Sequence, residues 1–250
     1  MASEKTIVLI TGANGGIGYE TALLLATSSP SYHVIIGSRS TEKGQAAVET
    51  IQSQKPSSTL SVVQLDVTSE ESLSSAYKSV SEEFGRLDVL INNAGIVSFE
   101  KTLLAELRQT FETNTFGAAL TTEKFLPLLE KSKSPRVLYI TSGLGSLTLA
   151  ADPQHWSYSV DALTYRMSKA ALNMLMVSQH KEFQKKGIKV WAICPGYVIT
   201  NLTGEADREN RAKQGAESPT ISAQTIQSVV EGKRDQDVGK VVHKDGVYDW

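Results

Sequence analysis

Short apolar runs alternate with longer amphipathic segments along the whole chain. The runs are rich in β-branched residues and bounded by polar turns, which is typical of buried strands. Between them, apolar positions recur at three- and four-residue spacing and predict helices; residues 69–84 carry them at Leu73, Ala76, Val80 and Phe84. The predicted strands are 7–10, 33–38, 60–65, 87–91, 136–140, 188–193 and 240–242.

The order of these segments predicts the architecture. Helices are expected at 19–26, 41–53, 69–84, 103–130 and from Tyr165 to Lys186. Repeated strand–helix units with short links form parallel sheets with right-handed connections. The sequence therefore predicts a doubly wound α/β fold of about seven strands with helices on both faces. No linker, repeat or low-complexity tract interrupts residues 1–250, so we expect a single domain.

Composition narrows the class of protein. The 250 residues are 40% hydrophobic and 21% charged, which is ordinary for a globular enzyme or binding protein, and the net charge of -2 argues against nucleic acid or a membrane as partner. Cys194 is the only cysteine, so no internal disulfide can form. The first predicted strand begins within a few residues of Met1, which leaves no room for a signal peptide, and no apolar run reaches membrane-spanning length. We expect a cytoplasmic protein.

The four histidines have no ligand spacing, so no catalytic metal is expected.

Small and polar residues follow six of the predicted strands. They are residues 11–18, 38–40, 66, 92–95, 141–143 and 194–196. Any one of these clusters could be a loop of ordinary turn formers. In a doubly wound sheet, however, ligands bind outside the carboxyl ends of the strands. Six clusters at that edge indicate a ligand site.

The first cluster, residues 11–18, reads Thr-Gly-Ala-Asn-Gly-Gly-Ile-Gly between a strand and a helix. Glycines permit a sharp turn and a close approach of the backbone to a pyrophosphate, and the helix N-terminus supplies free N–H groups. The spacing Gly-x-x-x-Gly-x-Gly differs from the Gly-x-Gly-x-x-Gly dinucleotide fingerprint, so an ordinary turn is the alternative. We assign cofactor contacts in this turn to Gly12, Asn14, Gly16, Ile17 and Gly18.

The end of the second strand indicates which nicotinamide cofactor binds. An acid there would bind the ribose 2′-hydroxyl of NAD, whereas an arginine accommodates the 2′-phosphate of NADP. The sequence has no acid between His33 and Thr41 but has Arg39. NADP(H) is therefore the predicted cofactor; a solvated surface arginine is the alternative.

Tyr165 and Lys169 carry the candidate chemistry. Positions i and i+4 share a face of a helix, so the phenol and the ammonium can converge. A nearby ammonium and an oxidised nicotinamide ring both favour the phenolate and lower the tyrosine pKa, which suits proton transfer to or from an alcohol. Ser142, at the end of the fifth strand, could hydrogen-bond the same carbonyl oxygen, or could be a simple turn serine.

Several of these motifs together resemble the short-chain dehydrogenase/reductase family, in its compact single-domain branch, and the resemblance covers nearly the whole chain. Residues 11–18 look like its Thr-Gly-x-x-x-Gly-x-Gly, residues 92–95 match its Asn-Asn-Ala-Gly, and Tyr165 with Lys169 falls on its Tyr-x-x-x-Lys. Ser142, followed by Gly145, falls on its catalytic serine. Residues 165–174 look like the sniffer-like carbonyl reductases.

The resemblance implies a Rossmann-type sheet and further site residues. Asn114 would hold a water in a proton relay from Lys169, which would also contact the nicotinamide ribose. The remaining implied cofactor contacts are Asp66 and Val67 at the adenine, Asn92, Ala94 and Gly95 after the fourth strand, and Pro195, Gly196, Val198 and Thr200 near the nicotinamide. Position 15 is glycine where many NADP-dependent relatives carry a basic residue, so the cofactor assignment depends on Arg39.

The resemblance also implies an activity and an assembly. The implied reaction is NADPH-dependent reduction of an aldehyde or ketone, or its reverse, with Tyr165 as general acid and Ser142 polarising the carbonyl. Relatives commonly form homodimers or homotetramers through the helices after strands four and five. Two alternatives stay open: a catalytically silent NADP-binding scaffold, and a non-redox enzyme that uses the same pocket.

Three segments are expected to surround the substrate: 96–98, 144–164 and 197–219. The third has few apolar anchors, so we expect a mobile lid. Leu144, Leu147, Leu149 and Trp156 would then favour an apolar or aromatic carbonyl compound. The alternatives are that residues 197–219 form an ordinary surface helix and that Trp156 and Tyr158 pack the insert onto the domain.

Overall fold

Eight strands form one sheet in the computed structural model, which describes residues 5–249. Their order across the sheet is β3-β2-β1-β4-β5-β6-β7-β8, and all neighbouring pairs are parallel except β7 with β8. The strands are β1 Thr6–Thr11, β2 Tyr32–Ser38, β3 Thr59–Gln64, β4 Val89–Asn92, β5 Arg136–Ile140, β6 Lys189–Ile193, β7 Val241–His243 and β8 Gly246–Tyr248.

Nine α-helices lie between or beside these strands in the described part of the chain. They are α1 Gly16–Ser28, α2 Thr41–Ser53, α3 Glu70–Phe84, α4 Leu103–Phe111, α5 Gly117–Leu129, α6 Leu147–Ala151, α7 Leu163–Phe183, α8 Arg208–Lys213 and α9 Pro219–Val230. A π-helix, Glu112–Phe116, joins α4 to α5 without a break.

The sheet is buried on both faces because successive strand residues point to opposite sides. Along β1, Ile7 and Leu9 enter the core beneath α3, α5 and α7, whereas Val8 and Ile10 enter the core beneath α1, α2 and α9. All four side chains are at most 5% exposed. A strand buried on both faces therefore reads as a continuous apolar run, which is the pattern that its sequence shows.

The strand order reverses between β1 and β4, and this reversal positions the site. The chain runs outward from β1 to β2 and β3, then returns to β4 on the other side of β1. The helices that follow β1 and β4 lie on opposite faces, so the carboxyl ends of these two strands border an open crevice.

The predicted fold class is confirmed, with several differences in detail. β8 was not predicted, because three residues are too few for a periodic signal. It makes the edge of the sheet antiparallel, whereas the sequence predicted parallel strands alone. The helix predicted over 103–130 is interrupted by the π-helix, and the insert after β5 contains α6 and a 3₁₀ turn, Trp156–Ser159.

Candidate active site

The N-terminus of α1 differs from that of its neighbours. Serine or threonine side chains accept hydrogen bonds at the start of α2, α3, α4 and α9, whereas the N-cap of α1 is Gly15, which has no side chain to offer. The first turn of α1 also contains no acidic residue. Its leading N–H groups and positive dipole end are thus available to an anion from outside the chain.

Glycines shape the turn that precedes this helix end. Gly12 has φ 64° and Gly16 φ 56°, in the left-handed region that favours glycine. A Cβ on Gly12 would lie 3.1 Å from the Cα of Ala94, so the turn packs directly on the backbone after β4. Asn14, Gly15 and Gly16 are exposed on the open side.

The segment after β4 is tied to this turn by hydrogen bonds. The Asn93 side-chain amide donates to the Thr11 and Gly12 carbonyls over 2.8 and 3.2 Å, and the backbone N–H groups of Asn93 and Ala94 donate to the Thr11 hydroxyl. A Cβ on Gly18 would be only 2.5 Å from Asn93 Nδ2. The glycine turn and residues 92–95 are therefore one interlocked unit.

The other residues predicted to line the cofactor cleft lie along the same edge of the sheet, and they differ from one another in solvent exposure. Ile17 is partly buried, and Asn92 is 3% exposed, its Nδ2 donating to Thr122. Arg39 is exposed, and no carboxylate of a described residue lies within 4.0 Å of its guanidinium. The nearest acid along the chain, Glu42, accepts a hydrogen bond from Ser40 in the first turn of α2.

Asp66 and Val67 follow β3 on this edge. The Asp66 carboxylate accepts from the backbone and hydroxyl of Thr68, at 2.9 and 2.7 Å. The Val67 side chain is buried, and a Cβ on Gly117 would lie 2.7 Å from it. Only the Val67 backbone is thus available to a ligand.

Ser142, Tyr165 and Lys169 converge where β5 meets α7. The Ser142 hydroxyl lies close enough to the Tyr165 phenol to lower the pKa of that phenol. Lys169 Nζ lies 5.6 Å from the centre of the Tyr165 ring and donates to the Ile140 carbonyl over 2.8 Å. A Cβ on Gly145 would lie 2.7 Å from the Lys169 backbone, so this glycine lets the Ser142 turn pack closely on α7.

Asn114 lies in the π-helix, where an extra residue bulges from the helical ladder. Its Nδ2 donates to the Ile96 carbonyl and the Ser168 hydroxyl, at 2.9 and 3.0 Å, while its Oδ1 accepts from the Ile96 N–H at 2.8 Å. A Cβ on Gly95 would lie 3.4 Å from Asn114 Oδ1 and 3.5 Å from Lys169 Nζ. Asn114 and Lys169 therefore both lie close to Gly95.

Burial dominates the protonation of this group when no cofactor is bound. It raises the pKa of Tyr165 to about 12, assisted by Cys194 and opposed by the Ser142 hydrogen bond and the charge of Arg211. Burial also lowers the pKa of Lys169 to about 8. In the cofactor-free protein, loss of hydration outweighs the lowering by Ser142 and Arg211, and the expected effect of Lys169 on the Tyr165 pKa stays a prediction. These pKa values apply to the protein without an oxidised nicotinamide ring, whose positive charge favours the phenolate.

The turn after β6 approaches the same crevice. Gly196 has φ 85°, and the Pro195 carbonyl accepts from Ser222 at 2.8 Å. Val198 and Thr200 are buried, and a Cβ on Gly16 would lie 3.7 Å from the Thr200 side chain. The segment after β6 thus packs close to the glycine turn.

The segment expected to form a lid is better anchored than its sequence suggested. Arg211 on α8 is only 9% exposed; it donates to the Val198 carbonyl over 2.9 Å and stacks on Tyr197 at 4.7 Å. Glu217 forms an isolated parallel bridge with Val198. Sequence reasoning missed this anchor because a charged residue gave no sign of burial.

The insert after Ser142 is open to solvent. Leu147 is 72% exposed, Trp156 63% and Tyr158 55%, so these side chains are not part of the core. Sequence reasoning also missed Thr141 and Asn173, whose side chains hydrogen-bond each other at 2.5 Å between β5 and α7. The sequence signal that could have identified Asn173 is its position one helical turn after Lys169.

Comparison with known proteins identifies the family to which this chain belongs. The model of the short chain dehydrogenase family matches residues 6–211. The short-chain dehydrogenase/reductase tropE of Talaromyces stipitatus is 36% identical over 263 aligned positions, which cover 98% of this chain and 97% of that protein. The chain belongs to the short-chain dehydrogenase/reductase family. The short-chain dehydrogenase anuI of Penicillium roqueforti is 40% identical over 248 positions, covering 96% and 95% of the two chains.

A solved structure resembles this dehydrogenase/reductase over its full length. The NADPH-bound carbonyl reductase from chicken fatty liver superposes with a TM-score of 0.83 at 29% identity, covering 99% of this chain and all of that one. Within residues 5–249, no three His, Cys, Asp or Glu side chains are grouped so that they could hold a metal ion. No helix in this part of the chain is long and apolar enough to cross a membrane.

Proposed function

We propose that this chain, acting as one domain over residues 1–250, catalyses NADP(H)-dependent hydride transfer between the nicotinamide and a carbonyl compound or secondary alcohol, with aldehyde or ketone reduction favoured. The observation that carries the proposal is the convergence of Ser142, Tyr165 and Lys169 at the same edge of the sheet as a helix N-terminus that has no side-chain cap. A pyrophosphate at that terminus and a proton donor at the opposite wall are the two requirements of the reaction.

The residues of the cleft fit a dinucleotide. The exposed Gly15–Gly16 turn and the free N–H groups of α1 suit the pyrophosphate, while Asn14, Ile17 and Gly18 support that turn. When bound, the nicotinamide supplies or accepts the hydride. The other proposed cofactor contacts are Gly12, Asp66, Val67, Asn92, Ala94, Gly95, Pro195, Gly196, Val198 and Thr200.

NADP rather than NAD is favoured by Arg39. Its guanidinium has no carboxylate partner within 4.0 Å among the described residues and is free to pair with a 2′-phosphate. The NADPH bound by the chicken fatty liver carbonyl reductase supports the same choice.

The proton chemistry belongs to the chain's own side chains. Tyr165, protonated at neutral pH because burial raises its pKa to about 12, donates its proton to the forming alkoxide, and the Ser142 hydroxyl polarises the carbonyl oxygen. Lys169 then favours the phenolate that remains and orients the nicotinamide ribose. Asn114, which like Lys169 lies close to Gly95, connects the relay that returns a proton.

The substrate is proposed to be a small carbonyl or alcohol with an apolar or aromatic body. The exposed apolar side chains of Leu147 and Trp156 support that choice, and residues 197–219 would close over it. Nucleic acid and membrane are not proposed as partners, and we propose a cytoplasmic location in view of the single cysteine and net charge of -2.

A homodimer or homotetramer is proposed for the assembly. Large apolar side chains are exposed on the helices around the site, and a partner subunit would cover them. They are Leu103 and Leu104 on α4, Phe116 in the π-helix, and Met167 and Met174 on α7.

Tyr165→Phe tests the proposed function. The variant keeps the ring and deletes only the proton donor, so kcat for NADPH-dependent ketone reduction should fall by about 10²–10⁴-fold while NADPH affinity stays within about twofold. A panel of aldehydes and ketones, followed by the loss of NADPH absorbance, gives the rate. Half the parent rate would exclude Tyr165 as general acid.

The same panel separates the alternatives. NADPH binding without turnover of any carbonyl would indicate a silent scaffold, and conversion of substrate without NADPH consumption would indicate a non-redox enzyme.

A further inference from the structure

The last strand, β8, ends against the turn that carries Ser142. β8 pairs with β7 in antiparallel register, and the ring of its last residue, Tyr248, stacks on His243 with centroids 4.2 Å apart and planes 13° from parallel. The antiparallel pairing and the stacking hold the Tyr248 ring at the carboxyl ends of β5 and β6. A C-terminal segment thus reaches the candidate active site.

Tyr248 and Asp249 hold both ends of the Ser142 turn. A Cβ on Gly143 would lie 3.3 Å from Tyr248 Cε2 and 3.6 Å from its hydroxyl oxygen, so the ring rests on the Gly143 backbone. At the other end of the turn, the Ser146 hydroxyl donates to the Asp249 carbonyl over 2.9 Å.

Cys194 connects this contact to the turn after β6. Its sulfur accepts a hydrogen bond from the Gly143 N–H at 3.1 Å, and the nearby Gly196 N–H and Tyr248 hydroxyl both lower the pKa of the thiol. Burial raises the pKa of the Cys194 thiol and so keeps it neutral. The Ser142 turn is thus bonded to a buried sulfur at the end of β6, with the Tyr248 hydroxyl nearby.

We propose that Tyr248 is a positioning residue: through Gly143 and Cys194 it fixes the Ser142 turn relative to the turn at 195–196, and so keeps the Ser142 hydroxyl beside the Tyr165 phenol. The role in turnover rests on the proposed function, whereas the role in holding the turn does not. Small displacements matter here, since misplacing a reacting group by about 1 Å can cost about 100-fold in rate.

Kinetics of Tyr248→Ala and Tyr248→Phe test the role in turnover. Removing the ring should lower kcat about twentyfold, and removing only the hydroxyl about fivefold, with NADPH affinity within about twofold of the parent. Val247→Ala is the matched control, because Val247 neighbours Tyr248 on the same strand, points to the opposite side and is 38% exposed. Equal kcat in all four proteins would overturn the proposal.

A double substitution shows whether the effect passes through Ser142. If Tyr248 acts by holding that hydroxyl, Tyr248→Phe should cause no further loss of kcat in a Ser142→Ala background. The same fivefold loss in both backgrounds would contradict the proposed route.

Amide hydrogen exchange tests the positioning without any turnover. Residues 141–146 should exchange faster in Tyr248→Ala than in the parent and in Val247→Ala; should the alanine variant fail to fold, Tyr248→Phe takes its place. Unchanged exchange would contradict the proposed support of the turn. If the parent reduces no carbonyl, the proposed function fails, while the exchange experiment still decides whether Tyr248 holds the Ser142 turn.

Discussion

The two sides of the candidate cleft are built in different ways. On the cofactor side, the turn at 11–18 and the segment 92–95 interlock through hydrogen bonds and through contacts that only glycine permits. On the proposed substrate side, the insert at 143–164 exposes Leu147 and Trp156 to solvent. Close packing against a neighbouring backbone restricts which residue types a position accepts. A solvent-exposed position accepts many residue types. This difference explains why the recognisable motifs lie on the first side.

Gly18→Ala should have the largest effect on stability, because it breaks the interlocked unit. The new Cβ would lie 2.5 Å from Asn93 Nδ2 and 3.0 Å from the Gly12 carbonyl oxygen. We expect the free energy of unfolding to fall by about 2–3 kcal/mol, as for other overpacked sites, and NADPH affinity to fall with it. Urea denaturation and cofactor titration would measure both.

Gly15→Ala is the matched control for that variant. No atom lies within 4 Å of its Cβ position, and φ of -170° is open to any residue. Its cost in unfolding free energy should stay below about 1 kcal/mol, the typical difference between residues at an N-cap. Equal losses in the two variants would show that close packing does not distinguish the cofactor side.

Lys169→Met should change how stability depends on pH. The lowered pKa of Lys169, about 8 against 10.5, means that the unfolded chain holds this proton more tightly than the folded one. The parent should therefore gain stability relative to the variant as pH rises above 8, by about 2 kcal/mol between pH 7.5 and 9.5 in the cofactor-free protein. Urea melts at several pH values measure this difference. A constant difference would mean that the ammonium is hydrated and that the site is more open than its 4% exposure indicates.

Arg39→Ala tests the outer edge of the cofactor side, where the arginine side chain is exposed rather than held in the interlocked unit. We expect the parent to prefer NADPH over NADH by about tenfold in Kd, about 1.4 kcal/mol, and the variant to lose most of this preference. Arg39→Lys keeps the charge without the planar guanidinium and should retain part of it. Unchanged relative affinities in Arg39→Ala would show that the arginine is only a surface residue.

Sequence patterns were sufficient to predict the structure where the interacting residues are close together along the chain. The i, i+4 spacing of Tyr165 and Lys169 predicted that they converge, and the continuous apolar runs predicted strands buried on both faces. The predicted fold class follows from such local signals repeated along the chain.

Interactions between distant residues left no such signal. Gly143 and Cys194 are 51 positions apart, and Ser146 and Asp249 are 103 apart, so nothing in the local pattern indicates their contacts. The burial of Arg211 depends on the carbonyl of Val198 in another element. The sheet edge at β8 was missed for the same reason, since three residues are stabilised by pairing rather than by their own propensity.

Trp156→Ala should have the smallest effect on stability and addresses the substrate side. The indole is 63% exposed and touches His155 with ring centroids 5.5 Å apart, so its loss should change the free energy of unfolding by less than about 0.5 kcal/mol. If the indole covers an aromatic substrate, partial burial of its surface in the complex contributes about 1 kcal/mol, and KM for an aryl ketone should rise about fivefold. A small aliphatic aldehyde, too short to reach the indole, is the matched substrate and should show no change. An unchanged KM for both substrates would remove Trp156 from the pocket and leave the insert as a solvent-exposed surface, whereas a large loss of stability would mean that it packs the insert onto the fold.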